Sequence, residues 1–213
     1  MKQSNPPLEF PVARRDPESG YISHGRRFED PYAWMERLDQ PETQAWAATR
    51  TRRQTAFDDY IAAARWLVSN GYTTPSRLVS RGNSNGGLLV AVAAMQAPEA
   101  FGAVYCRAPI LDLLRFPEFS HLGSAIVEYG SPDDPVEGAY LAAYSPYHNV
   151  RVDRRYPVMA FVSALNDRNA PPYDPLEMIA KLETEATAGG PYLFLPLHDS
   201  GHGGGATWTA LIE

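Results

Sequence analysis

The stretch Gly82-Asn83-Ser84-Asn85-Gly86 limits the fold more tightly than any other, because it lies between a β-rich run, Arg77 to Ser80, and an apolar helical run, Asn85 to Gln96. A glycine-x-serine-x-glycine turn between strand and helix sets its serine on a sharp bend with the hydroxyl outward. The glycines accept backbone conformations and close approaches that other residues resist. Leu88, Leu89, Val90, Val92, Ala93 and Ala94 make the following helix apolar around most of its surface, as in a helix packed beneath a sheet. Ser84 is therefore a candidate nucleophile. The Asn85 N–H, at the positive start of that helix, is a candidate donor to a developing oxyanion.

The flanking pattern agrees with a strand-and-helix alternation. Phe57, Tyr60, Ile61, Ala64, Leu67 and Val68 recur at helical spacing, Thr55 with Asp58 reads as a capping box at the start, and Asn70-Gly71 reads as the stop. Further on, β-rich runs at Ala103 to Arg107, Val158 to Ser163 and Tyr192 to Leu197 alternate with helical runs near Val136 to Ala143 and at Pro175 to Thr187. Four such strands predict an α/β fold with a mostly parallel sheet of about four strands flanked by helices. Ahead of them the chain is polar, aromatic and proline-rich, with a helix predicted from Pro41 to Arg50 and no convincing strand. The change of pattern divides the chain into a short N-terminal segment, residues 1–53, and a main body, residues 54–213.

Composition narrows the classes of partner. With 213 residues, 44% hydrophobic and 21% charged, the chain suits one folded α/β domain with a short appendage. A net charge of −6 leaves no basic surplus for phosphates or an anionic bilayer, so nucleic acid is not an expected partner. The start Met1-Lys2-Gln3-Ser4-Asn5-Pro6-Pro7 has no apolar core, and no later run is long enough to span a bilayer; the expected location is the cytoplasm, with no membrane partner. The lone Cys106, in an apolar run, reads as a buried inert thiol.

A serine hydroxyl is a weak nucleophile until an imidazole accepts its proton. Among five histidines, His202 is the candidate base, because it follows the last predicted strand in a glycine-rich loop that permits close approach. His198 stands four positions before it, but the glycines at 203–205 argue against a helix presenting both rings to a metal, and neither a metal nor a cofactor is expected. His24, His121 and His148 read as surface or loop residues. The acid belongs after the strand ending at Ser163, where Asp167 is the first choice and Asp174 the alternative; the order serine, acid, histidine agrees with the α/β-hydrolase arrangement.

With these residues in place the chain resembles the prolyl oligopeptidase family of serine peptidases, in two blocks. The first is His24-Gly25, Asp30-Pro31-Tyr32-Ala33-Trp34-Met35-Glu36 and Glu42-Thr43 with Trp46, which looks like the family's N-terminal segment. The second runs from Phe57-Asp58-Asp59-Tyr60 through Gly82 to Gly87, Glu128-Tyr129-Gly130, Tyr144-Ser145-Pro146-Tyr147-His148-Asn149-Val150 and Gly201-His202-Gly203, and looks like the catalytic domain from its nucleophile region onward. The resemblance implies peptide substrates, no cofactor, and a truncated α/β-hydrolase that lacks the family's β-propeller and the first hydrolase strands, with the junction near Ala48 to Thr55. An ending at Glu213, soon after His202, suggests a clipped C-terminus as well. Three departures follow. The tyrosine that gives the family its second oxyanion donor lies in the missing region, Asn169 stands where the family has a carbonyl-binding arginine, and Ala125 stands where a tryptophan stacks on proline. A strand deprived of one neighbour is expected to leave an open edge at Arg77 to Ser80, through which the chain self-associates.

Overall fold

Why the four strands lie side by side is visible in what each buries. In the computed structural model, which describes residues 15–23, 25–30, 53–119, 125–186, 188–198 and 200–202, the chain divides into two compact units, Met1–Arg53 and Gln54–Glu213.

The first unit contains a hairpin where no strand was predicted. β1 (Gly20–Ser23) pairs antiparallel with β2 (Arg26–Glu29), from Gly20 opposite Glu29 to Ser23 opposite Arg26. Between the strands Gly25 takes φ +73°, a left-handed conformation that suits glycine. Arginines and a glutamate at three of the four β2 positions hide the alternation by which such strands are usually read. The predicted helix from Pro41 to Arg50 lies outside the described residues.

In the second unit α1 (Arg53–Ser69) begins two residues before Thr55, so the Thr55–Asp58 capping box is not its start; Asp58 instead accepts from the Gln54 amide at 2.8 Å. Its end is as predicted. Gly71, at φ +77°, donates its N–H to Val68, and Tyr72 donates to Leu67, the paired bonds of a Schellman stop. The nucleophile strand sits later than predicted. Pro75 sets up a single 3-10 turn over Pro75–Arg77, so the ladder begins only at Val79 and β3 runs Val79–Asn83. Then come α2 (Asn85–Gln96), β4 (Ala103–Arg107), the short α3 (Phe116–Phe119) and α4 (Ala125–Tyr129), and α5 (Pro135–Tyr144). β5 (Arg155–Tyr156), β6 (Val158–Ala164), α6 (Tyr173–Glu185), β7 (Ala188–Gly189) and β8 (Tyr192–Leu197) complete it. Two helices start earlier than their periodicity suggested. Asp134 accepts the Val136 and Glu137 N–H groups at 2.8 and 2.9 Å and so caps α5 ahead of Pro135, while α6 begins at Tyr173.

The sheet order is β3-β4-β6-β8, parallel throughout, with β5 and β7 forming a separate two-residue pair. This is the mostly parallel, helix-flanked sheet of an α/β-hydrolase. α2 is apolar all round because it divides two cores. Val90, Ala93 and Ala94 pack with Val104, Phe161, Met178 and Leu182, while Leu88 and Val92 pack with Phe57, Leu113 and Tyr144. Each large aliphatic side chain so buried contributes about 1.5–3 kcal/mol, which anchors the helix whose first turn carries the site. No helix among the described residues is long and apolar enough to cross a membrane.

Candidate active site

Ser84 sits between the end of β3 and the start of α2 with φ 55° and ψ −120°, a conformation that side-chain-bearing residues rarely adopt. Its N–H donates to Arg107 at 2.8 Å on β4, and its carbonyl accepts the Leu88 N–H at 3.1 Å, the first turn of α2. Space dictates one motif glycine and not the other. A Cβ at Gly82 would stand 1.9 Å from the Gly86 carbonyl oxygen, whereas one at Gly86 would meet nothing within 4 Å. Gly87 matters instead, since a Cβ there would approach the Arg107 carbonyl and Pro109 to 3.0 Å. The strained serine is thus locked from below by closely approaching backbone.

His202 follows β8, and its ring bridges two residues from other parts of the chain. Nε2 lies 2.9 Å from Ser84 Oγ, and Nδ1 lies 2.8 Å from Asp167 Oδ2. Asp167 is buried beyond the end of β6, and its other oxygen accepts the N–H groups of Asn169 and Ala170 at 2.9 and 3.0 Å. Those bonds fix the carboxylate plane. Because a carboxylate only accepts, Nδ1 carries the ring proton and donates it to Asp167, which leaves Nε2 to accept from the serine hydroxyl. Such a line can take a proton from Ser84 as its oxygen attacks a carbonyl and return it to a leaving group.

Asp174, the alternative acid, faces elsewhere. It is buried at the start of α6 and accepts the N–H groups of Leu111 and Asp112 at 2.7 and 3.0 Å. Burial, reinforced by the neighbouring Asp112 charge and opposed by those two N–H bonds, pushes its pKa from an ordinary 3.8 up to about 7. Asp112 in turn accepts from Leu114 N–H, Arg115 N–H and the Arg115 guanidinium, which reaches on to Glu177. His148 is no plain surface residue; its Nδ1 meets Ser145 Oγ at 3.0 Å, and burial lowers its pKa. His198 is exposed on the turn after β8, whereas His24 and His121 lie outside the described residues. Burial pushes the Cys106 thiol well above its usual range, which leaves it unreactive. Among the described residues no group of three or more His, Cys, Asp or Glu side chains is placed to hold a metal ion.

The sequence reading singled out Asn85 for its backbone and missed its side chain. At the head of α2 its N–H has no intrahelical partner, as in any first turn. Its carboxamide meets Glu128 and Tyr129 on α4. No local pattern could have shown this, since the partners stand 43 and 44 positions away.

Comparison with known proteins sets the chain among peptidases. Residues 42–210 match the model of the prolyl oligopeptidase family. An uncharacterised peptidase of Rickettsia prowazekii is 36% identical over 160 residues, which is 75% of this chain and 22% of that protein. A prolyl oligopeptidase of Omphalotus olearius is 36% identical over 165 residues, 76% of this chain and 22% of its own length. A solved prolyl endopeptidase superimposes with a TM-score of 0.70 at 40% identity, covering 72% of this chain and 23% of that one. A post-proline cleaving enzyme from Rickettsia typhi gives 0.65 at 37%, covering 71% and 22%. The chain spans about a fifth of the length of the curated relatives it matches.

Proposed function

This chain belongs to the prolyl oligopeptidase family of serine peptidases, and from that premise we propose that it hydrolyses peptide bonds through an acyl-enzyme formed on Ser84. The observation that carries the reading is the continuous line from Ser84 Oγ through His202 to a buried, doubly anchored Asp167. As Ser84 Oγ bonds to the substrate carbonyl carbon, its proton passes to His202 Nε2, and the carbonyl oxygen becomes an oxyanion facing the Asn85 N–H. Collapse of that intermediate expels the amine, which takes the proton from His202. Water then repeats the sequence and releases the acid. Asp167 keeps the imidazole in the required tautomer and stabilises its charged form throughout.

Residues 1–53 are read as the N-terminal segment of such a peptidase and residues 54–213 as the later part of its hydrolase domain. The competing reading, a catalytically impaired remnant, is favoured by one observation: β3, the strand that delivers Ser84, has β4 as its only sheet neighbour among the described residues. A fluorophosphonate probe decides between them, since phosphonylation needs an activated serine and not a complete substrate cleft. Covalent labelling of the wild-type chain, lost in Ser84→Ala, is the expected result. Equal, background-level labelling of both would favour the remnant.

A further inference from the structure

The side chain of Asn85 is gripped at both ends by one short helix. Its Nδ2 donates to Glu128 Oε1 at 3.1 Å, and its Oδ1 accepts from the Tyr129 hydroxyl at 3.1 Å. The amino end requires an acceptor, which a carboxylate always is, and the carbonyl end requires a donor, which the phenol supplies; a flipped amide would lose both bonds. The Tyr129 ring is buried, edge-on to Phe116 with centroids 5.6 Å apart, so its hydroxyl is delivered by a packed side chain. Asn85 is also the first residue of α2, where helices fray most readily and where a small rotation re-aims the backbone N–H. Holding the carboxamide at two points removes that freedom. It also ties the turn that carries Ser84 to the segment between β4 and β6.

We propose that Glu128 and Tyr129 are positioning residues that clamp the Asn85 carboxamide and thereby keep its N–H aimed at the oxyanion during acyl transfer. The proposal rests on the reading of Ser84 as nucleophile and Asn85 as oxyanion donor. A full oxyanion donor is worth on the order of 10² to 10³ in turnover, and a donor left to wander forfeits part of that, so loss of either clamp bond should slow acylation about tenfold. Glu128→Gln keeps an acceptor for Asn85 Nδ2 while removing the charge, which separates a positional role from an electrostatic one.

The test is saturation kinetics of fluorophosphonate labelling on the full chain, comparing wild type with Glu128→Ala, Glu128→Gln, Tyr129→Phe, Asn85→Ala, Ser84→Ala and the Glu128→Ala/Asn85→Ala pair. The clamp requires that Glu128→Ala and Tyr129→Phe lower the limiting rate about tenfold. Half-saturation and the fraction of labelled protein should stay unchanged, which a general packing defect would not allow. Glu128→Gln should restore the wild-type rate, and Glu128→Ala should add nothing once Asn85 is alanine. Wild-type labelling in Glu128→Ala, or an effect that adds in full to Asn85→Ala, overturns the clamp and leaves the nucleophile reading standing. A wild-type chain labelled no better than Ser84→Ala overturns both together.

Discussion

His202 has one proton to share between two neighbours, and Asp167 decides where it sits. With Asp167 Oδ1 committed to the Asn169 and Ala170 N–H groups, only Oδ2 faces the imidazole. In Asp167→Asn those same N–H groups would claim the amide oxygen and turn Nδ2 toward the ring, driving the proton onto Nε2, where it blocks acceptance from Ser84. In an active preparation Ser84→Ala and His202→Ala should each remove hydrolysis by on the order of 10⁶, and Asp167→Asn by about 10⁴. Ester hydrolysis at saturating substrate measures all three. Activity that survives Asp167→Asn but fails in Asp174→Asn would hand the acid's role to Asp174. Ser84, Asp167 and His202 could be singled out in the sequence because each sits beside a recognisable strand end, and the fold brings their side chains into one hydrogen-bonded line. The Asn85 clamp was not legible, since contacts across more than forty positions arise only when the fold brings them together.

At the scale of elements, Asp174 joins the head of α6 to the segment leaving β4 through the Leu111 and Asp112 N–H groups. Its pKa, raised from 3.8 to about 7, makes that joint pH-dependent. A carboxyl whose folded-state pKa exceeds its unfolded value adds stability that is complete below the unfolded pKa. That stability is lost as pH rises through the folded one. Asp174→Asn supplies one acceptor oxygen for two N–H groups, a change that costs about 1–3 kcal/mol, and it removes the titration. Urea unfolding of both proteins at about pH 5 and about pH 8 should therefore show the larger penalty at the lower pH. A penalty equal at both values would mean that Asp174 titrates in the fold as an ordinary carboxylate. The elements themselves were legible wherever a buried strand showed as an apolar run, as β4 and β8 did to the residue. They were misread where local chemistry moved a boundary, as Pro75 did for β3 and the Asp134 cap for α5. The β1–β2 hairpin, short and charged, offered no alternation to read.

At the scale of the whole molecule the sheet has two outer strands, β3 and β8, each with a single strand neighbour among the described residues, and β3 is the one that delivers Ser84. The order β3-β4-β6-β8 puts β3 at one end, and among the described residues its other side has no strand partner. The edge lies at Val79–Asn83, two residues further along than its predicted place at Arg77 to Ser80. A parallel sheet normally has both faces covered, yet Val79 is 62% exposed on β3 and Leu193 and Leu195 are 47% and 46% exposed on β8. An unpaired edge that itself carries an exposed aliphatic side chain, Val79, is a template for a second chain, and we propose that this protein self-associates through β3. Charge sets how strongly. A two-fold antiparallel pairing centred on the strand would set Arg81 opposite the partner's Arg81, and like charges placed directly opposite weaken a ladder by roughly 0.2–1 kcal/mol. Association should therefore tighten as salt screens that pair, and tighten without salt in Arg81→Gln. Val79→Lys, which adds charge and removes an exposed aliphatic group, should loosen it. Size-exclusion chromatography with light scattering over a range of concentration and salt is the measurement. A sharp monomer at every concentration, indifferent to Arg81→Gln and to Val79→Lys, would show that the β3 edge is covered by some other means.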